Sequence, residues 1–206
     1  MPRGFTEQEK LSIREALIGK GRELFTLYGL KKTSIDDLAK AVGISKGAFY
    51  LFYESKESLL IVIIEQFETA YFNRVLENIA AVAQAGRAEI TSVITRMVSD
   101  WQTDPMFKHM GREEIELLLR KLPPETVQAA LRDDVAFAEQ MIAAWRRAGL
   151  RIACGPELLA SLLRALFFVT LHQDDFVASV YPTMIDTLIE LVAGYLTGGD
   201  STGAMP

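Results

Sequence analysis

Residues 43–60 read GISKGAFYLFYESKESLL. The stretch opens on the small residues Ser45, Gly47 and Ala48 and turns abruptly aromatic at Phe49, Tyr50, Phe52 and Tyr53. Phe49, Phe52 and Tyr53 stand at i, i+3 and i+4, so a helix places them on one face. Ser45 is of the type that caps a helix N-terminus, which predicts a helix from Lys46 to about Tyr53. A helix this short does not hold itself in water. Its aromatic face must pack on Ile44 and on the elements before it. The opposite end, Ser45 to Ala48, then carries little side-chain bulk, exposed amides and the positive end of the helix dipole. Such a tip suits close approach to a phosphate backbone or to the floor of a major groove.

Working outward, a first helix is predicted from about Thr6 to Tyr28, with Leu17, Gly21, Leu24, Phe25 and Tyr28 on one face and Gly29 as its stop. Thr33 or Ser34 caps a second helix over SIDDLAKAV (34–42), with Asp36 and Asp37 in the first turn, where negative charge is favoured. That helix is expected to bury Ile35, Leu38, Ala39 and Val42. Gly43 permits a sharp turn. Two short helices about a glycine form a helix-turn-helix pattern. Downstream, Ser55 is expected to cap a long helix reaching about Ala85. Further helices are predicted over 88–102, 106–121, 124–148, 156–173 and 176–196. Pro105, the pair Pro123–Pro124 and the run Cys154-Gly155-Pro156 separate them. No sustained alternation argues for strands, so the fold class is all-α. The expected organisation is a DNA-binding domain over 1–54, a helical domain over 55–197 and a disordered tail over 198–206.

The chain has 206 residues, half of them hydrophobic, and a net charge of −5. The charge is unevenly placed. Residues 1–60 hold ten Lys and Arg against eight Asp and Glu, whereas residues 61–206 hold twelve against nineteen. The N-terminal excess is too small to establish nucleic-acid binding by itself. A single cysteine, Cys154, excludes an internal disulfide framework and fits a reducing compartment. The N-terminal segment lacks the apolar region of a signal peptide, and the densest apolar run, LLIVII at 59–64, is too short for a bilayer. A cytoplasmic location without membrane contact is therefore expected. His109 and His172 are far apart, and no metal spacing, phosphate loop or nucleophile–base motif occurs. Neither a cofactor nor an enzymatic activity is expected. Glu113, Glu114, Arg120 and Lys121 read as a solvated helix face.

The longer run TSIDDLAKAVGISKGAFYLFYESKESLL (33–60) resembles the DNA-binding signature of the TetR family of transcriptional regulators. The resemblance covers about Leu11 to Leu60. It rests on the threonine before the first motif helix, the "A..VG.SKG" turn and the aromatic pair followed by "SKE.L". It implies an all-helical homodimer with three N-terminal helices on DNA and a larger helical domain that binds a small molecule and dimerises. It further implies that Thr33, Ser34, Tyr50 and Lys56 meet phosphate, and that Ser45, Lys46, Gly47 and Ala48 face the groove. Phe52 stands where relatives often carry a polar residue, and it cannot donate a hydrogen bond. Lys46 is the one long polar reader at the tip, so DNA shape is expected to supply part of the specificity.

In the C-terminal part, Met97, Trp101, Phe107, Met110, Phe137, Met141, Trp145, Phe168 and His172 are the candidate lining of a pocket for a small, largely apolar effector. Met106, Phe167 and His109 accompany them, and an ordinary core is the competing reading of the same residues. The last two long helices are apolar on more than one face, which points to a dimer interface. The resulting expectation is a repressor-type regulator on a near-palindromic operator. The alternatives are a helical protein–protein adaptor that does not bind DNA and, more weakly, a small-molecule enzyme using His109 or His172.

Overall fold

A computed structural model describes residues 5–81, 86–105, 115, 118 and 120–198. Its regular elements are α1 (Glu7–Lys32), α2 (Ile35–Ala41), α3 (Lys46–Phe49), α4 (Lys56–Ala80), α5 (Arg87–Thr103), α6 (Pro124–Arg147), α7 (Pro156–Leu171), a 3₁₀ turn (Gln173–Asp175) and α8 (Tyr181–Leu196). Among the described residues there is no strand, and the fold class is all-α. The chain forms two compact units. One comprises Met1–Ala70 with Asp104–Lys121, the other Tyr71–Thr103 with Leu122–Pro206. Helix α4 runs through the division.

In the first unit each helix start has a chemical cause. Thr6 caps α1 in a reciprocal box: the Glu9 amide donates to the Thr6 hydroxyl at 3.2 Å, and the Thr6 amide donates to the Glu9 carboxylate at 2.7 Å. The helix breaks at Gly29, whose φ of 76° and ψ of 171° leave the helical region, before a last turn to Lys32. The predicted stop is thus a break rather than an end. Ser34 caps α2 in a second box with Asp37. Gly43 takes φ 75° in the turn that follows. Ser45 caps α3 by accepting from the Ala48 amide at 3.1 Å. Regular α geometry ends at Phe49, short of the predicted Tyr53. Beyond it the chain tightens, with the Leu51 and Phe52 amides donating three residues back at 3.1 and 2.9 Å. Ser55 and Ser58 exchange two bonds of 3.0 Å at the start of α4.

One apolar cluster joins these helices: Leu17, Phe25 and Leu30 from α1, Leu38 from α2, Phe49 from α3, and Leu59, Leu60 and Ile63 from α4. Leu118 is buried in the same cluster and Ile115 packs on it. With Arg120 and Lys121 they are the described part of the helix predicted over 106–121. Met106, Phe107, His109, Met110, Glu113 and Glu114 lie outside the described residues. Lys121 is exposed, as expected, and donates to Glu57 at 2.7 Å.

In the second unit α6 packs on α7, α5 packs on α7 and α8, and α7 also meets α8. Ile90, Ile94, Phe137, Met141, Trp145, Leu159, Ile189 and Leu196 are among its buried residues. Helix α8 begins at Tyr181, later than the predicted Phe176, because Pro182 lacks an N–H and fits only a first turn. No helix among the described residues is long and apolar enough to cross a membrane.

Candidate nucleic-acid interface

The small-residue tip stands out of the first unit on a buried aromatic foot. Ser45, Lys46 and Gly47 are exposed and Ala48 is half-buried. Phe49 is wholly buried. Its ring meets Tyr50 edge-on at 5.8 Å and Tyr53 at 6.1 Å. A Cβ built on Gly47 would meet only the Ser45 hydroxyl, at 3.9 Å. The tip is therefore bare in space as well as in sequence. Tyr50 caps the end of α3 and is 51% exposed. Phe52 is half-buried against Phe5 at 6.0 Å, so it extends the core where a polar residue would reach outward.

The other expected contacts divide. Ser34 is exposed and serves as the α2 cap. Thr33 is buried, and its hydroxyl donates to the Gly29 carbonyl at 2.8 Å, so its polar atom points inward. The Lys56 ammonium donates to the carbonyls of Leu30 at 2.6 Å and Thr33 at 2.9 Å, with Lys31 at 3.5 Å. Lys46, the long reader, donates to the Asp36 carboxylate of α2 at 2.8 Å. That bond holds the Lys46 ammonium above the ordinary lysine range. Neither Asp36 nor the inward turn of Lys56 was visible beforehand, since both pairings link residues distant along the chain.

The candidate effector residues also divide. Met97, Phe137, Met141 and Trp145 are buried inside the second unit, and the Trp145 indole N–H has no hydrogen-bond partner among the described residues. Trp101 is half-buried, edge-on to Phe167 at 5.4 Å. Phe72, which sequence reasoning passed over, stacks on Phe137 at 3.9 Å and 11°. Phe168 is at the surface, in a cleft between α6 and α7 with Leu131, Asp134 and Arg164. Burial pushes the Asp134 carboxyl above its usual range although Arg164 donates to it. His172 caps α7, with Nδ1 3.1 Å from Asp175. Phe107 and Met110 lie outside the described residues.

Comparison with known proteins places this geometry. Residues 17–63 match the sequence profile of bacterial regulatory proteins of the tetR family. The chain is 37% identical over 130 residues to the uncharacterized HTH-type transcriptional regulator YuxN of Bacillus subtilis, a match covering 59% of this chain and 43% of that protein. It thus spans less than half of the length of that relative. The fold matches a TetR-family transcriptional regulator from Pectobacterium atrosepticum with a TM-score of 0.72 at 20% identity, covering 94% and 98% of the two chains. It also matches Thermus thermophilus FadR, a TetR-family repressor solved with lauroyl-CoA, with a TM-score of 0.64 at 21% identity over 94% and 97%. Residues 17–63 thus carry the N-terminal helix-turn-helix domain of the tetR family of bacterial regulatory proteins.

Proposed function

We propose that this protein is a ligand-responsive transcriptional repressor that binds a near-palindromic operator as a homodimer in the cytoplasm. The observation that carries the reading is the exposed tip Ser45–Gly47 standing on buried Phe49 within the matched domain. In this reading α3 enters the major groove and Lys46 reads base edges. Ser34 and the Tyr50 hydroxyl take phosphate. Two such heads meet half-sites about 34–36 Å apart. The reading assigns no catalytic step. Tyr50→Phe is expected to weaken binding several-fold on selected and unrelated duplexes alike, since a phosphate contact carries no sequence information. Fluorescence anisotropy measures both; unchanged affinity on both removes Tyr50 from the contact set.

Asp36 bears on discrimination. Its carboxylate occupies Lys46 and sets a negative charge beside the reading face. Asp36→Asn is expected to raise affinity for an unrelated duplex several-fold and to steepen its salt dependence by about one phosphate contact. Equal gains on selected and unrelated duplexes would show that Asp36 does not set discrimination.

The effector is proposed to enter the second unit among Met97, Phe137, Met141 and Trp145, where an apolar surround and one unpartnered N–H suit a largely apolar molecule with an acceptor atom. FadR's bound lauroyl-CoA makes acyl thioesters the first probes to try. A coupling of about 1–3 kcal/mol changes DNA affinity roughly 5–150-fold.

The dimer is proposed to form through α7 and α8. Helix α8 carries two apolar stripes. Ile185, Ile189, Ala193 and Leu196 are buried, whereas Met184, Leu188, Leu191, Val192 and Tyr195 are exposed or half-buried. Leu158 and Phe168 are exposed on α7. A second copy supplies the cover those stripes lack. Leu191→Glu is expected to yield monomers in sedimentation velocity at micromolar protein. An unaltered dimer would place the interface elsewhere.

A further inference from the structure

We propose that Leu51 is a specificity-determining residue that reads the C5-methyl group of a thymine in each half-site, a role that rests on the DNA-binding reading above. After Phe49 the chain keeps a helical course for one more turn. The Leu51 amide donates to the Ala48 carbonyl at 3.1 Å and the Tyr53 amide to the Phe49 carbonyl at 3.1 Å. On such a turn residues three and four apart share a side. Phe49, Phe52 and Tyr53 take the inner side, against the apolar cluster of the first unit. Leu51 therefore falls with Gly47 and Ala48 on the outer side. Gly47 brings no side chain there, and a Cβ on it would meet only the Ser45 hydroxyl. The isobutyl group of Leu51 is thus the first apolar bulk beyond the bare part of the tip. It is 70% exposed, the most of any large apolar side chain among the described residues. A lone exposed leucine is ordinary. This one adjoins an apolar patch, since Leu11, Phe5 and Phe52 line one cleft with it. A hydrocarbon side chain has neither donor nor acceptor, and a phosphate oxygen offers it no bond. Of the groups that base pairs show in the major groove, only the thymine methyl is recognised by apolar contact. The Lys46 ammonium is committed to Asp36 at 2.8 Å, so polar readout at this tip is thin. A methyl contact from Leu51 adds discrimination that charge does not supply.

The test uses the full chain and a duplex obtained by selection, in which thymines are replaced one at a time by deoxyuridine. Each replacement removes one methyl and leaves the base pairing as it was. Binding of the parent duplex by the unmodified protein tests the DNA reading separately. A chain that selects no duplex fails that reading and this proposal with it. The expected result is one thymine position, repeated by the two-fold symmetry of the site, at which deoxyuridine lowers affinity about fourfold per half-site, the worth of one buried methyl. The slope of log affinity against log salt should stay unchanged, because no phosphate contact is lost. Leu51→Ala is expected to weaken binding of the parent duplex and to bind the parent and deoxyuridine duplexes equally. Its side chain is exposed, so the variant should melt with the unmodified protein, which circular dichroism checks. Selected half-sites that contain no thymine overturn the proposal, as does a duplex in which no single methyl matters. A deoxyuridine effect that persists in full with Leu51→Ala overturns it too, since the methyl then acts through another side chain or through DNA shape.

Discussion

Phe49→Ala is expected to lower the unfolding free energy of the first unit by about 3–5 kcal/mol, the usual cost of deleting a buried aromatic ring. It should also abolish specific DNA binding. Helix α3 has four residues, too few to persist alone. Phe49 is its buried residue and is fully covered by the cluster that includes Leu17, Phe25, Leu38 and Leu60. Removing the ring therefore takes away both core volume and the support of the tip. Phe52→Ala should cost much less, because that ring is half-buried against Phe5. Urea denaturation followed by circular dichroism measures both variants. A Phe49→Ala change below about 1 kcal/mol would show that α3 is held by something other than its aromatic foot.

The second large effect comes from two glycines of α1 that respond oppositely to the same change. Gly29 is buried at φ 76°, ψ 171°, a region open in practice to glycine alone. Gly29→Ala is expected to cost about 1–3 kcal/mol. Its carbonyl also receives the Thr33 hydroxyl, so the turn between α1 and α2 should loosen and DNA affinity should fall with stability. Gly19 lies in the same helix, exposed, and a Cβ there meets nothing within 4 Å. Gly19→Ala is expected to stabilise by about 0.5–1 kcal/mol through backbone entropy. Thermal melts of the two variants should move in opposite directions. A shared sign would show that helix propensity, and not the break at Gly29, governs this segment.

Local chemistry was readable in the sequence wherever cause and effect lie within one turn. Ser45 and Ser55 cap helices where their residue type says they should. The choice between Thr33 and Ser34 as the α2 cap needed the structure, because both hydroxyls are competent and only packing sends that of Thr33 inward. Lys56 shows the same limit at longer range. Its partners are 23 to 26 residues away, and nothing in a lysine at a helix start tells a carbonyl from a phosphate. Asp36 meets Lys46 only because the turn at Gly43 folds α3 back toward α2. In α7 the run PELLASLLRALFFVTL is apolar nearly all round. Its periodicity does not separate buried Leu163 and Leu166 from exposed Leu158 and Phe168. Helix α8 started late because a proline can open a helix but cannot sit within one without breaking it.

In the proposed mode of action a dimer presents the Ser45–Ala48 tips to two half-sites of one operator. Selection of bound sequences from a random duplex pool, with the purified protein at moderate salt, tests it most directly. The expected result is enrichment of a near-palindrome with half-site centres about one helical turn apart, lost with Phe49→Ala. A folded dimer that enriches no sequence, alone or with a metabolite extract added, would contradict it.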